Sequence, residues 1–176
     1  QGELGKGEEA LKNLQRALSL KSLPADKKGI AVFGLIQAAY TAGDYKKVVE
    51  TYSANATVLP PDDLRAKQLL IIGMAYKQLQ RYRQAVEIFL MLEKNHPDSS
   101  EAFEGGYQKL LCFFQMNDKD IVTFALRFEE RYAPDHKGHE YIMMSRLIRA
   151  DAYFGTGDYK LAAEAYAGTD IKKVPA

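Results

Sequence analysis

The sequence lacks several features that would point to a particular class of function. It has one cysteine, Cys112, so no disulfide can form within the chain, and the apolar run 110–114 around it predicts a buried thiol. The 24 basic and 23 acidic residues give a formal net charge of +1, and no basic stripe is present. No apolar run approaches the length of a membrane span. These absences argue against a nucleic-acid partner and against a chain that spans a bilayer.

Sequence patterns for catalysis are also missing. The pair Gly105-Gly106 falls inside a predicted helix, so it predicts close packing and not a phosphate-binding loop. No nucleophile has a base at a recognisable spacing. Glu129-Glu130 lies between Arg127 and Arg131, a pattern typical of charge pairing at a surface. The sequence therefore predicts no catalytic residue, no cofactor and no enzyme activity.

One histidine pair resembles a metal-ligating motif. His136 and His139 are three residues apart, with Asp135 and Glu140 beside them. Gly138 lies between the histidines at a predicted helix start, and no distant third ligand suggests itself. The pattern favours a solvated loop with a helix-capping aspartate, so we predict no metal site.

The chain does contain an internal repeat. Pro60, Pro97 and Pro134 are spaced 37 residues apart, and each ends a segment with helical periodicity. Residues 39–45 and 152–159 are two copies of one turn sequence. Because three marks recur at one spacing, the chain is expected to consist of repeated structural units.

The turns between units carry signals for ending and starting helices. Gly43 and Gly157 are expected to adopt the left-handed conformation that ends a helix. Four aspartates are expected to cap the helices that follow them: Asp44, Asp62, Asp98 (with Glu101 at capping-box spacing) and Asp158.

Apolar stripes at helical spacing predict an all-α fold of about nine helices. The predicted ranges are 5–20, 27–42, 44–57, 62–80, 82–95, 99–116, 118–132, 138–156 and 158–167. They form one repeat domain over residues 1–176, with a half repeat at 1–23 and repeats at about 24–60, 61–97, 98–134 and 135–170. The sequence does not begin with Met and ends in what resembles a connector, so we expect a fragment of a longer array.

These residues resemble the tetratricopeptide repeat family. The family motif places a small residue and an aromatic in each of two helices, followed by a proline. The third unit matches it best, through Gly73, Tyr76, Ala85, Phe89 and Pro97. The second and fourth units depart from it, with Val48, Leu110 and Val122 where small residues are usual. The resemblance implies a right-handed superhelical solenoid of antiparallel helix pairs, in which each pair is stabilised by stacking on its neighbours.

The resemblance also implies where a partner would bind, because the first helix of each unit lines the concave face in this family. We expect a protein-binding scaffold whose partner is another protein or a peptide segment. The predicted binding residues, carried over by register, are Phe33, Tyr40, Leu70, Met74, Lys77, Tyr107, Leu111, Phe114, Leu147 and Phe154. Exposed apolar and aromatic patches of this kind often mark binding sites.

Two alternatives stay open at this point. An aromatic stripe at helical spacing is also typical of a core, and a fragment can expose a surface that missing repeats normally cover. The family's clamp for a terminal carboxylate is disfavoured, because Phe33 and Gln37 stand where its first Lys and Asn would be. An apolar or helical segment of a partner fits the predicted face better.

The unit length and the linker at 94–102 suggest a narrower resemblance. A period of about 37 residues exceeds the usual 34 and is similar to repeats of bacterial cell-envelope proteins, of the Tol-Pal-associated and outer-membrane assembly lipoprotein types. This resemblance predicts a periplasmic or cell-envelope location. Two other functions remain as alternatives: self-assembly through open repeat ends, or a docking segment of a larger enzyme or envelope complex.

Overall fold

The computed structural model of the chain consists of α-helices joined by short turns. It describes residues 12–16, 18–19, 23–167 and 169. Eight helices have defined bounds: α1 (Ala25–Thr41), α2 (Tyr45–Ala54), α3 (Asp62–Gln78), α4 (Tyr82–Asn95), α5 (Ser100–Gln115), α6 (Ile121–Tyr132), α7 (Glu140–Thr156) and α8 (Tyr159–Ala167). Residues 12–16 and 18–19 are also helical, and the described residues contain no β-strand. The predicted all-α fold class is confirmed.

The predicted helix ranges agree with the observed ones to within three residues at each end, from α1 onward. The largest differences are at the end of α2 and at the start of α6. Helix α6 begins at Ile121 and not at residue 118, because the Asp118 carboxylate accepts a hydrogen bond from the Asp120 N–H at 3.0 Å and holds these residues in a turn. Much of the predicted helix at 5–20 lies outside the described residues.

The chain divides into two compact units, residues 1–102 and 103–176. In unit 1, α1 packs on α2, α3 packs on α4, and both α1 and α2 contact α3. In unit 2, α7 packs against α6 and α8. The single repeat domain and its repeat boundaries stay predictions.

The core of unit 1 depends on small residues where helices cross. Ile36, Val48, Ile72 and Leu92 are fully buried at its centre. A Cβ atom on Gly73 would lie 2.4 Å from Cε1 of Phe89, which is far closer than van der Waals contact allows. The close approach of α3 and α4 therefore requires glycine at position 73, as the repeat pattern predicts.

A second close approach in unit 1 has no counterpart in the sequence analysis. A Cβ atom on Gly29 would lie 2.1 Å from the carbonyl oxygen of Leu59. Glycine at this position lets α1 pack directly against the backbone of the turn between α2 and α3. The turn is held in place by backbone contact, which side-chain periodicity does not reveal.

The core of unit 2 is built mainly from aromatic side chains. Phe103 stacks on Phe128 at a centroid distance of 5.8 Å and on His136 at 3.8 Å, with the His136 ring nearly parallel. Tyr107 stacks on Tyr141 at 4.2 Å. These rings link α5, α6, α7 and the turn before α7 into one cluster.

The structure confirms some of the predicted turn residues and corrects others. Gly43 and Gly157 have φ angles of 74° and 86°, the left-handed conformation expected at these helix ends. Asp44 caps α2 by accepting a hydrogen bond from the Lys47 N–H at 3.0 Å. Asp62, however, is the first residue of α3 and pairs with Arg65 at 2.6 Å, while Pro61 occupies the capping position.

The cap before α5 also differs from the prediction. The Ser99 hydroxyl accepts a hydrogen bond from the Ala102 N–H at 3.1 Å. The capping side chain is therefore Ser99, one residue beyond the predicted Asp98. A serine hydroxyl satisfies the same free N–H group as an aspartate carboxylate, so sequence spacing alone did not separate the two.

Candidate functional site

The ten predicted binding residues occupy three kinds of environment. Phe33 and Tyr107 are buried. Phe114 and Phe154 are exposed, with 43% and 60% of their surface accessible. The other six are half-buried: Tyr40, Leu70, Met74, Lys77, Leu111 and Leu147.

The two buried residues contribute to the cores. Phe33 belongs to the cluster formed by α1, α2, α3 and α4 in unit 1. Burial raises the pKa of Tyr107, and the neighbouring Tyr141 and Glu140 raise it further. Both side chains fill space between helices, so they match the core alternative that the sequence left open.

One of the two exposed aromatics, Phe114, lines a cleft in unit 2. This α5–α7 cleft is formed by the ends of α5 and α7 and the start of α6, and has a volume of about 350 Å³. Its lining includes Phe114, Asp118, Ile121, Val122, Asp151 and Gly155. Phe154, on the same helix as Asp151 and Gly155, contacts the ring of Tyr159 edge-on at 5.4 Å. The cleft therefore has an apolar floor and one accessible aromatic ring, while Phe154 is exposed on α7 outside its lining.

The charged groups around the α5–α7 cleft are of both signs. Asp118, Asp151 and Lys119 all line it. Asp151 accepts a hydrogen bond from the Tyr166 hydroxyl, and this bond is the main reason that the pKa of Tyr166 is raised. A mixed-charge rim with an apolar floor suits a protein segment better than a uniformly charged ligand.

Glu129 is not the surface ion pair that the sequence predicted. Its carboxylate accepts hydrogen bonds from Nε and Nη2 of Arg149 at 3.2 and 3.0 Å. It also accepts one from the hydroxyl of Ser145, which is fully buried, at 3.1 Å, while Nε of Arg146 lies 3.8 Å away. The side chains of Glu129 and Arg149 are only 12% and 18% exposed, so the network joins α6 to α7 in a partly buried setting.

His136 and His139, the histidines of the pair considered as metal ligands, have structural roles. Nδ1 of His139 accepts a hydrogen bond from the Tyr141 N–H at 3.2 Å and caps α7, so the predicted aspartate cap is wrong. His136 stacks on Phe103. No group of three or more His, Cys, Asp or Glu side chains is placed to hold a metal ion in the part of the chain that the structure describes.

Sequence reasoning missed a second cleft, which lies in unit 1. This α2–α4 cleft is formed by the ends of α2 and α4, the turn before α3 and the first turns of α3, and has a volume of about 550 Å³. Its lining includes Tyr52, Leu59, Arg65, Gln68, Leu69 and Met91. The one sequence signal for it is Gln68, a polar residue at the start of the apolar run 69–72.

The walls of the α2–α4 cleft combine apolar and polar side chains. Leu59 and Met91 are large apolar side chains with exposed surface. Burial raises the pKa of the Tyr52 hydroxyl, with a smaller effect from Tyr76.

Helices in the described part of the chain do not combine the length and hydrophobicity that crossing a bilayer requires.

Comparison with known proteins gives an independent assignment of one repeat. Residues 69–99 match the family model described as tetratricopeptide repeat. This segment resembles a tetratricopeptide repeat. It includes the positions that carry the sequence resemblance in the third unit, among them Gly73, Ala85 and Phe89. The close contact between Gly73 and Phe89 is thus a feature of the matched segment.

Solved structures extend the likeness to the fold of nearly the whole chain. Two crystal structures of nearly identical TPR-like repeats, from a Podosopora anserina protein described as a kinesin light chain, match with TM-scores of 0.63 and 0.64. The second carries a point substitution. Each is 17% identical to this chain, and the alignment covers 94% of this chain and 86% of the other. No curated protein matches the chain at a significant level.

These comparisons support a tetratricopeptide-like fold, which is generally a scaffold for protein–protein interaction and generally non-catalytic. An identity of 17% shows the fold and not the partner. Neither comparison supports the narrower resemblance to bacterial cell-envelope repeats, which stays a prediction.

Proposed function

We propose that this chain is a non-catalytic scaffold that binds a segment of another protein at the α5–α7 cleft of unit 2. The observation that carries the proposal is the exposure of Phe114, which lines this cleft, and of Phe154 on α7, the helix that forms one wall of it. Both residues lie on helices that the repeat register makes first helices. Large exposed aromatic side chains are the residues that most often dominate binding energy in protein interfaces.

The lining of the cleft favours a particular kind of partner segment. Ile121 and Val122 supply an apolar floor, and Gly155 leaves the wall from α7 without a side chain. An amphipathic helix or a short apolar segment could place one side chain in the cleft against Phe114 and extend along α7 to Phe154. The carboxylates of Asp118 and Asp151 would then meet polar or basic groups at the edge of that segment.

The test is a selection of binding peptides followed by a comparison of variants. A random-peptide display library is selected on the full chain, and the affinity of one enriched peptide is measured by titration calorimetry. Phe114→Ala and Phe154→Ala should each weaken binding by about tenfold, because each removes an aromatic anchor. Circular dichroism should show that both variants keep the helical fold, because neither side chain belongs to the buried core.

Leu126 provides the matched control. It lies on α6 of the same unit and is 44% exposed, nearly the same as Phe114, but it does not line the cleft. Leu126→Ala should leave the affinity of the selected peptide unchanged. Equal losses for all three variants, or no loss at Phe114 and Phe154, would contradict the proposed surface.

Self-assembly is the principal alternative function. Tyr159 and Leu161 on α8 are exposed and could contact another copy of the chain. Light scattering over a range of concentrations separates the two proposals, because only self-assembly gives a mass that rises with concentration. A location in a bacterial cell envelope, and a role as the docking segment of a larger complex, rest on the sequence resemblance alone.

A further inference from the structure

We propose that the α2–α4 cleft of unit 1 is a second binding site, which takes an extended peptide segment carrying an apolar side chain. This inference goes beyond the proposed function, because the site shares no residue with the α5–α7 cleft and uses none of the ten residues predicted from the sequence. Gln68 precedes the predicted residue Leu70 by two positions. A two-residue step turns the side chain by about 200° around the helix, so the two residues face nearly opposite directions.

The key observation is the side chain of Gln68. Only 4% of this residue is exposed, and its carboxamide forms no hydrogen bond or ion pair with the residues that the structure describes. Within the same residues, no fully buried side-chain nitrogen or oxygen lacks a hydrogen-bond partner. Both polar atoms of Gln68 therefore keep a small accessible surface, and the cleft that Gln68 lines is where that surface opens.

A carboxamide with no partner in the protein and only a small accessible surface is poorly hydrated, which is unfavourable in the free protein. A ligand that supplies a donor and an acceptor would satisfy it. Gln68 is thus a largely buried polar group whose remaining accessible surface opens into a cleft, which is an arrangement that gives a binding site specificity.

The chemistry of the carboxamide indicates what the ligand is. A glutamine side chain presents an N–H donor and a carbonyl acceptor side by side. The peptide group of an extended main chain presents the complementary pair, so Gln68 can donate to a main-chain carbonyl and accept from a main-chain N–H. Asn95 at the end of α4 also lines the cleft and carries a second carboxamide.

The charged residues of the cleft do not favour an ionic ligand. Nη1 of Arg65 lies 2.6 Å from the Asp62 carboxylate, and Nε of Arg65 donates to the Pro60 carbonyl at 3.0 Å. The two charges therefore compensate each other and are already engaged within the protein. A ligand that binds here is selected by neutral hydrogen bonds and by apolar contact.

The remaining walls of the cleft accommodate an apolar side chain. Leu59 and Met91 are exposed at its edges, and Tyr52 and Leu69 form inner walls. A flexible methionine at such a position can adapt to side chains of different shape. The volume of about 550 Å³ falls within the range of ligand-binding pockets and exceeds what one buried water would need.

The experiment uses the full chain and a defined probe, acetyl-Ala-Leu-Ala-methylamide, in NMR titrations of isotope-labelled protein at millimolar peptide. Shifts should appear at residues of the α2–α4 cleft and at the side-chain amide of Gln68. Gln68→Met keeps the length of the side chain and removes the carboxamide, so it should weaken binding about fivefold. An ester analogue of the probe that lacks the contacted N–H should lose affinity for the wild type and not for Gln68→Met.

Thermal unfolding of the free protein gives a second measurement. Gln68→Met should weaken peptide binding but stabilise the free protein. Replacing an unsatisfied buried carboxamide by an apolar side chain should raise the midpoint of Gln68→Met above that of the wild type. Gln78→Met is the matched control, since Gln78 is exposed at the end of the same helix and does not line the cleft. Gln78→Met should change neither the affinity for the peptide nor the unfolding midpoint.

Three results would overturn this inference. They are the absence of shifts in the α2–α4 cleft, an unchanged affinity in Gln68→Met, and a lower or unchanged unfolding midpoint in that variant. Shifts confined to the α5–α7 cleft would also overturn it, while supporting the proposed function. A loss of binding of the capped peptide in Phe154→Ala, with unchanged affinity in Gln68→Met, would likewise overturn this inference and support the proposed function. The two proposals can therefore fail independently.

Discussion

At the scale of single residues, two glycines with different surroundings show how strongly local packing controls the effect of one methyl group. A Cβ on Gly73 would overlap the ring of the fully buried Phe89, whereas a Cβ on Gly155 in α7 would meet nothing within 4 Å. The same substitution should therefore have opposite effects at the two positions. Position in a helix alone would predict a gain in stability at both.

Gly73→Ala should lower the free energy of unfolding by about 1–3 kcal/mol, because Phe89 or the helix pair has to shift. Gly155→Ala should raise it by about 0.5–1 kcal/mol, because alanine loses less conformational freedom than glycine in a helix. Chemical denaturation of both variants checks the pair. If Gly73→Ala raised the free energy of unfolding, α3 and α4 would have to leave room for a methyl group at position 73.

Four of the predicted binding residues show which part of their environment the sequence could reveal. Phe33 and Tyr107 share one register of their repeats, and Phe114 and Phe154 share another that lies seven residues later on nearly the same helix face. The first two are nevertheless buried and the last two exposed. The periodicity identifies the helix face that each one occupies. It does not identify how closely neighbouring elements cover that face, which depends on contacts far apart in the sequence.

At the scale of secondary-structure elements, the Glu129 network shows why charge patterns along one helix mislead. The sequence places Arg127 and Arg131 beside Glu129 on α6, but its partners are Arg149 and Ser145 on α7. Helix bounds and several turns were predictable, because periodicity and capping signals are local. The Glu129 network, the His139 cap and the environment of Gln68 were not, because each depends on which helices come together.

Glu129→Ala should lower the free energy of unfolding by about 1.5–3 kcal/mol, because it removes charged hydrogen bonds between α6 and α7 and leaves Arg149 without this carboxylate. Glu130→Ala is the control, since Glu130 is the adjacent residue and is exposed. Its effect should stay within about 0.5 kcal/mol. Urea denaturation of both variants measures the difference, and equal effects would show that Glu129 behaves as an ordinary surface residue.

At the scale of the whole molecule, the repeat pattern gave the fold class, and the tetratricopeptide match over residues 69–99 supports it. The pattern did not indicate that the two proposed sites would differ in chemistry. The α5–α7 cleft offers the exposed ring of Phe114, and the α2–α4 cleft offers a buried carboxamide and an adaptable methionine. A scaffold with both could hold two segments of one partner or of two partners at once.

This arrangement predicts that the two sites act independently. The clefts lie in different compact units and share no residue, so changes in one should not alter binding at the other. In the double variant Phe154→Ala with Gln68→Met, each ligand should lose the same affinity as in the corresponding single variant, to within about 0.5 kcal/mol. Calorimetric titration of the selected peptide and NMR titration of the capped leucine peptide measure the two losses separately. A larger coupling would mean that both peptides contact one surface, and the two-site model would then have to be given up.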